Sequence, residues 1–330
     1  MSGNTDLSII IVNWNSATYL RSCLKSIESN PPHLHYEIIV IDNASEDGCG
    51  DMLASEFPQV IFIAGRNNLG FAKANNFAFQ HSSSSRVLFL NPDTEVTTGA
   101  LDALIEVLDT NPDAAVIGAK LLNTDRSLQD SCIQRFPTIL NQLLDFDYLR
   151  KRFRQSDFLA TRPLFDNHNL ISKVDCVSGA CMLVKRDIFS SVGMFSNRYF
   201  MYTEDVDLCY KIHRDGWSVF YAGNACILHH GGRSSAFSQQ DHFATVAMRE
   251  SRWRFMTAWY GLFYAVLYRM STGLNAVIRI SMLMCAIAVT RSREHRFKLL
   301  STARKWIKVL RWSLGLEAWA RQSEIKVQGI

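Results

Sequence analysis

The chain has 330 residues, of which 48% are hydrophobic and 20% charged, which excludes a disordered or low-complexity protein. Residues 1–240 carry 20 basic and 26 acidic residues, a net charge of −6, whereas residues 241–330 carry 15 and 5, a net charge of +10. This asymmetry predicts a large domain over residues 1–240 and a basic region over residues 241–330 with a different partner.

The cysteine pattern and the hydropathy pattern both favour a cytoplasmic protein. The eight cysteines form no CxxC pair and no zinc-site spacing, which is typical of reduced thiols. The early apolar run at residues 9–12 has only the length of a strand, so we expect no secretion signal. The longest uncharged apolar stretch, residues 255–268, is shorter than the ~20 residues of a spanning helix, and no segment is expected to cross a bilayer.

Strand patterns alternate with helical patterns along the first third of the chain. Continuous apolar, β-branched runs predict buried strands, and apolar residues three or four apart predict helices. The predicted strands are residues 7–12, 37–41, 60–63 and 86–90, and the predicted helices include the stretches around Leu20–Ile27, 71–79 and 101–108. This alternation predicts an α/β fold with a mostly parallel sheet flanked by helices.

The pattern weakens in the middle of the chain and then resumes. Residues 122–173 show little periodicity and carry a basic cluster at 150–154, and we interpret this segment as a variable insertion or an acceptor-facing lobe. Residues 174–184 predict a further strand. A helix is expected from Glu204 toward His213, with Thr203 as its N-cap and Gly216 closing it. After Ser238 the composition predicts long helices rich in Trp, Tyr, Met and Arg.

Polar residues follow the predicted strands directly. Asn13, Asp42 with Asn43, residues 66–68, and Asn91 to Asp93 stand at these positions. Ligands of parallel sheets bind beyond the carboxyl ends of the strands, so these side chains are expected to face one crevice. A carboxylate such as Asp42 can accept the N–H of a pyrimidine, and Asp93 can hold a hard cation. Taken singly, each of them is also an ordinary turn residue.

Several motifs occur together in one order. They are Leu7 to Asn15, Val40 to Ser45, Asn68 to Phe71 with Asn75 and Asn76, Leu90 to Asp93, Ser178 to Ala180, Tyr202 to Leu208, and Leu228 to Gly232. The set resembles family-two inverting glycosyltransferases of the GT-A fold, and among them the bacterial rhamnosyltransferase-like branch that builds cell-surface polysaccharide. The resemblance covers about residues 7–235.

This resemblance implies roles for individual residues in donor binding. Asp42 would read the base of a nucleoside-diphosphate sugar, with Asn13 and Asn43 beside it. The loop and helix start that line the nucleotide and the sugar would include Asn67, Gly70 and Asn76.

A divalent cation is also implied, and this chain departs from the family pattern there. Asp93 matches the last acid of the DxD element, but Asn91 replaces the first acid. His229 occupies the position from which the family often supplies a second ligand, and His230 is an equally available neighbour. The expected cation is Mg²⁺ or Mn²⁺, which would neutralise charge on the departing diphosphate.

The acidic motif at residues 203–207 offers three carboxylates for one base. An inverting displacement needs a base that takes the proton of the acceptor hydroxyl. The resemblance selects Asp205 as this catalytic residue, and the dipole of the predicted helix would keep it ionised. Glu204 is the rival base, and Asp207 is expected to support the site.

The resemblance implies, as the leading hypothesis, transfer of a single sugar, L-rhamnose from dTDP-rhamnose, to a lipid-linked glycan. A UDP-sugar donor is the alternative, because thymine and uracil present the same edge to Asp42. Arg249 and Lys308 stand where the QxxRW element of processive synthases has Gln, which favours single addition. A non-catalytic sugar-nucleotide or glycan-binding module and a nucleotidyltransferase are the hypotheses from other classes.

The basic C-terminal region is expected to bind an anionic membrane surface, not nucleic acid. On a helix over residues 298–314, seven apolar residues share one face and five bases gather on the other, as in interfacial helices. Trp312 lies off the apolar face and is predicted at the headgroup level. The expected location is peripheral, on the cytoplasmic face of the inner membrane. The alternative is that the apolar face packs against the rest of the protein.

Overall fold

A computed structural model of the chain describes residues 5–143, 162–166, 170–231 and 243–321. The chain divides into two compact units. The first comprises Met1–Phe136, Arg150–Phe200 and Glu204–Ala236, and the second comprises Pro137–Leu149, Met201–Thr203 and Phe237–Ile330. The boundary predicted at residue 240 and the basic cluster at 150–154 lie outside the described residues.

The first unit is built around strands. Their bounds are β1 Leu7–Asn13, β2 Tyr36–Asp42, β3 Ile61–Ala64, β4 Arg86–Leu90, β5 Thr94–Val96, β6 Ala114–Leu122, β7 Ile133–Gln134, β8 Ile171–Val174, β9 Cys176–Val177, β10 Cys181–Lys185 and β11 Ser218–His229.

Helices flank these strands and make up most of the second unit. Their bounds are α1 Ala17–Ser29, α2 Cys49–Glu56, α3 Gly70–Phe79, α4 Ala100–Thr110, α5 Ile139–Leu143, α6 Arg186–Ser191, α7 Glu204–Arg214, α8 Phe243–Trp259, α9 Leu262–Val289 and α10 Arg293–Ser313.

Among the described residues, nine strands form one sheet in the order β3-β2-β1-β4-β10-β6-β11-β5, with β8 also paired to β11. The α/β architecture is therefore confirmed. The sheet is parallel from β3 to β4, but β10 runs antiparallel between β4 and β6, and β5 and β8 run antiparallel to β11. The sheet is thus mixed, and the single strand predicted at residues 174–184 is divided into β8, β9 and β10.

The sheet brings the predicted polar residues to one edge. Strand β1 is buried along nearly its whole length, as its continuous apolar run predicts for a central parallel strand. It pairs in parallel with β2 on one side and β4 on the other. The carboxyl ends of three neighbouring strands therefore lie together, and they carry Asn13, Asp42 and Asn91.

The second unit packs α10 against α8 and α9, and this corrects the predicted face of α10. Trp306 and Val309 pack on Ala276 of α9. Trp312 is buried and its Nε1 donates to Glu250 Oε2 at 2.9 Å, so its predicted headgroup position is wrong. Because Trp312 and Val309 face inward, the buried face of α10 is rotated from the predicted one, and Ile307 and Leu314 are exposed.

Candidate active site

The first part of the site lies at the ends of β1 and β2. The parallel register sets Asn13 opposite Asp42. Asn13 Nδ2 donates to Asp42 Oδ1 at 2.9 Å, and the Ser45 amide donates to Asp42 Oδ2 at 2.9 Å. Both side chains are buried. These bonds hold the Asp42 carboxylate in one orientation at the edge of the sheet, as a hydrogen-bond acceptor for a ligand requires.

Asp42 belongs to a small acidic cluster that sequence reasoning did not identify. Ligand atoms of Asp42, Asp47 and Cys49 lie within 4.8 Å of one another, a grouping that could hold a metal ion. Asp47 Oδ2 accepts the Ala17 amide at 2.7 Å at the start of α1. Burial, and then the charges of Asp42 and Asp47, raise the pKa of Cys49 to about 12, so the thiol keeps its proton. The cluster therefore offers carboxylate oxygens but no thiolate.

Asn43 joins this end of the site to the start of α3. Its Nδ2 donates to Gly70 O at 3.1 Å, and its Oδ1 accepts the Leu69 amide at 2.9 Å. Gly70 has a φ of 75°, and a Cβ there would lie 2.3 Å from Phe200 O. Glycine is needed here for this close backbone approach, whatever its predicted part in nucleotide binding.

The first amides of α3 are engaged within the protein. The Gly70 amide donates to Asn68 Oδ1 at 2.9 Å, and the Phe71 amide donates to Phe200 O at 3.0 Å. Of the two asparagines predicted nearby, Asn67 is exposed. Asn76 is buried, and its amide group bonds the backbone of Phe195 in both directions, at 2.7 and 3.1 Å. Asn76 thus anchors the segment at residue 195.

The residues predicted to hold a cation are brought together by β5 and β11. Their antiparallel register sets His229 opposite Thr94, and the His230 amide donates to Asp93 O at 2.9 Å. His229 Nε2 lies 3.4 Å from Asp93 Oδ1. Two ligands of one Mg²⁺ ion, each ~2.1 Å from it at a right angle, are about 3 Å apart. The carboxylate and imidazole therefore fit a shared divalent cation.

His230, the alternative ligand, is held elsewhere. Its Nε2 lies 2.9 Å from Glu95 Oε1, and its Nδ1 lies 2.9 Å from Thr124 Oγ1. Both ring nitrogens are therefore engaged with other side chains. Of the two neighbouring histidines, the structure favours His229.

The predicted base lies in the first turn of α7. The Gly179 amide donates to Asp205 Oδ2 at 3.0 Å. The same segment contacts the Asn91–Asp93 motif, because the backbone N–H of Asn91 donates to Ala180 O at 2.9 Å. Thr203, the predicted N-cap, has a φ of 71° instead of an extended backbone. The turn at Gly179 and Ala180 thus links Asp205 to the Asn91–Asp93 motif.

The two neighbouring acids of this motif have different environments. Glu204 is buried, and its burial, followed by the charge of Asp205, raises its pKa to about 8. Glu204 therefore holds its proton to a higher pH than an ordinary glutamate does, which fits Asp205 better as the base. Asp207 is fully buried and accepts hydrogen bonds from Ser196 Oγ and, at 3.0 Å, from Tyr199 Oη.

A fold of this kind, with acids at the carboxyl edge of a mixed sheet, is that of GT-A glycosyltransferases. A family model described as glycosyl transferase family 2 matches residues 8–193, more than half of the chain. The chain belongs to this family, and it is a glycosyltransferase.

Two curated relatives are named as rhamnosyltransferases. One is the N-acetylglucosaminyl-diphospho-decaprenol L-rhamnosyltransferase of Mycobacterium tuberculosis, 26% identical over 89% of this chain and 97% of the relative. Another is the rhamnosyltransferase WbbL of Escherichia coli K12, 27% identical over 70% of this chain and 86% of the relative.

A solved structure supports the fold. The mannosyltransferase PcManGT from Pyrobaculum calidifontis, in complex with GDP-Man and Mn²⁺, superposes with a TM-score of 0.58 at 15% identity. The match covers 97% of this chain and 89% of that chain.

Proposed function

We propose that the protein transfers one L-rhamnosyl residue from dTDP-rhamnose to a lipid-linked saccharide, with inversion, in cell-surface polysaccharide synthesis. The observation that carries the chemistry is the Asp205 carboxylate, which accepts the backbone N–H of Gly179 at 3.0 Å in the first turn of α7. The sugar and the acceptor are inferred from relatives named as rhamnosyltransferases, one of which acts on a decaprenol-linked sugar by its name.

The residues of the chain supply the steps of an inverting displacement. The acceptor hydroxyl oxygen attacks the anomeric carbon on the side opposite the nucleotide, and the bond from that carbon to the diphosphate breaks. Asp205 takes the hydroxyl proton as this oxygen forms its new bond. Asp42 accepts the ring N–H of the pyrimidine and so orients the donor.

A divalent ion, Mg²⁺ or Mn²⁺, would be held by Asp93 and His229, and it supplies positive charge that stabilises the departing nucleoside diphosphate. Carboxylate with imidazole suits Mn²⁺ somewhat better than Mg²⁺, which prefers oxygen ligands.

The donor nucleotide is tested with a panel of nucleotide sugars, measuring both slow hydrolysis and transfer to a polyprenyl-diphosphate sugar. We expect turnover with dTDP-rhamnose. Turnover of UDP-sugars alone would replace the donor by the UDP alternative. Tight binding of the nucleotide with no turnover of any donor would favour a non-catalytic binding module.

Replacing Asp42 with alanine is expected to weaken binding of dTDP and UDP alike, because the pyrimidine ring loses its buried hydrogen-bond acceptor. The expected cost is ~1–3 kcal/mol of binding free energy, measured by titration calorimetry. Asp51→Ala, which removes an exposed acid of α2, is the matched control. Unchanged affinity of Asp42→Ala for both nucleotides would mean that the pyrimidine ring binds elsewhere.

The acceptor requires a location at the membrane, and α9 offers a surface for it. Eleven large apolar side chains of this helix are exposed, from Leu262 to Val289. Its two charged residues turn away: Arg269 donates to Trp312 O at 2.6 Å, and the Arg279 guanidinium lies 4.3 Å from the centre of the Trp306 ring. By length and composition alone, α9 could cross a membrane, which is weak evidence for a span.

We favour binding in the plane of the bilayer surface for α9. Its other side packs on α10, whose exposed residues include Arg304 and Lys305. An apolar stripe beside a basic helix is typical of interfacial attachment to anionic lipid. We therefore assign the apolar contact with the membrane to α9 instead of α10. The predicted location, peripheral on the cytoplasmic face of the inner membrane, is kept.

Full-length protein is therefore expected to float with anionic liposomes and to bind neutral ones less, with binding weakened by salt. The double substitution Leu274→Glu with Ile278→Glu should abolish flotation, because it puts charge into the apolar stripe. Phe77→Glu, which changes an exposed aromatic residue of the first unit, is the control. Failure of the wild type to bind anionic vesicles at low salt would contradict the membrane assignment.

A further inference from the structure

The side chain of Gln129 forms two hydrogen bonds with one residue, His229. Gln129 Nε2 donates to the backbone oxygen of His229 at 2.6 Å, and Gln129 Oε1 lies 2.9 Å from His229 Nδ1. The first bond sets the orientation of the amide, because only its nitrogen can donate to a carbonyl oxygen. The atom that faces the imidazole is therefore the amide oxygen, which can only accept.

This geometry determines where the imidazole carries its proton. Since Gln129 Oε1 accepts, Nδ1 of His229 must hold a hydrogen, and in the neutral ring Nε2 is then the nitrogen with a lone pair. Nε2 lies 3.4 Å from Asp93 Oδ1 and 3.4 Å from Asn91 Nδ2. The nitrogen that carries the lone pair is thus the one that lies beside the Asp93 carboxylate.

We propose that Gln129 is a positioning residue, which fixes the orientation and tautomer of His229 so that Nε2 and Asp93 bind one divalent cation. The inference rests on the cation site of the proposed function and adds a residue that no motif indicated. Second partners of this kind orient metal-binding histidines and raise their affinity for the ion. With Asn91 in place of an acid, the site has fewer charged ligands, so the orientation of His229 matters more.

Backbone hydrogen bonds also hold Gln129 in place, which makes substitution of its side chain informative. The backbone N–H of Gln129 donates to Leu121 O at 3.0 Å, and its backbone oxygen accepts the N–H of Cys132 at 3.2 Å. These backbone bonds remain when the side chain changes. Gln129→Met keeps the length of the side chain and removes both of its bonds to His229. Gln129→Glu keeps the acceptor for Nδ1 but loses the donor to the backbone oxygen.

The test uses the full chain with Mn²⁺ alone, and free Mn²⁺ is measured by electron paramagnetic resonance. Gln129→Met is expected to weaken Mn²⁺ binding about 10-fold to 100-fold, whereas Gln129→Glu should stay close to wild type. In the metal-free protein, long-range ¹H–¹⁵N spectra should show His229 protonated on Nδ1 in wild type and Gln129→Glu. In Gln129→Met they should show a mixture of tautomers.

Gln59→Met, the same substitution at a surface position, is the matched control and should bind Mn²⁺ as wild type does. If His229→Ala weakens binding but Gln129→Met does not, and the His229 tautomer is unchanged, the role of Gln129 is refuted while the cation site stands. If His229→Ala itself binds Mn²⁺ with wild-type affinity, the cation site is refuted and the role of Gln129 with it.

Discussion

Replacing Asp205 with asparagine is expected to lower the rate of sugar transfer about 10²-fold or more while leaving donor affinity close to wild type. The amide keeps the shape of the side chain, and its oxygen can still accept the Gly179 amide. It cannot take the proton of the acceptor hydroxyl. Single-turnover transfer with saturating donor measures the chemical step, and calorimetry with the nucleotide measures binding.

Glu204→Gln is the matched control, because it makes the same change at the adjacent residue. Burial raises the pKa of Glu204, so a neutral amide resembles the protonated form that burial favours. We expect Glu204→Gln to retain most of the transfer rate. The base assignment would be wrong if Asp205→Asn transferred sugar normally and Glu204→Gln were inactive.

Removal of divalent ions is expected to silence transfer, and Mn²⁺ or Mg²⁺ should restore it. Without the cation that Asp93 and His229 would hold, no positive charge at this position would compensate the negative charge that develops on the departing diphosphate. Loss of one stabilising group of this kind costs about 10²-fold or more in rate. Asp93→Asn should show a comparable loss, because it keeps the shape and removes the charge. Rates after chelation and after titration with each ion give the measurement.

His230→Gln is the control for the cation site. His230 is adjacent in sequence to His229, but its ring nitrogens contact Glu95 and Thr124. Its replacement should therefore leave the ion dependence unchanged. Full transfer by the wild type after exhaustive chelation would remove the cation from the mechanism and leave His229 as a direct contact of the phosphates.

The strands that carry the site could be predicted because their signals are local. The apolar run of β1 is continuous, and polar residues follow it at once. The register of β1 on β2 then brings Asn13 and Asp42 within 2.9 Å. Asp93 and His229 are 136 positions apart in the sequence. Their pairing could be predicted only from the family resemblance.

Other parts could not be read from local pattern. Trp312 and Val309 lie off the most apolar face of their helix, yet they are buried, because α8 and α9 pack on that side. Hydrophobic periodicity identifies the most apolar face of a helix, but it carries no information on which face a neighbouring helix covers. The apolar surface of α9 was likewise hidden from sequence, since its two arginines interrupt the run but turn inward.

The sequence by itself determined the α/β class, the family and the identity of the acids at the ends of the strands. These depend on the order of residues along short segments. Only the tertiary structure distinguished the two adjacent histidines and gave Glu204 and Asp205 different environments. It also brought Gln129 to His229. The physical reason is that proton positions, burial and hydrogen-bond partners are set by groups distant in sequence, which no local pattern of residue types records.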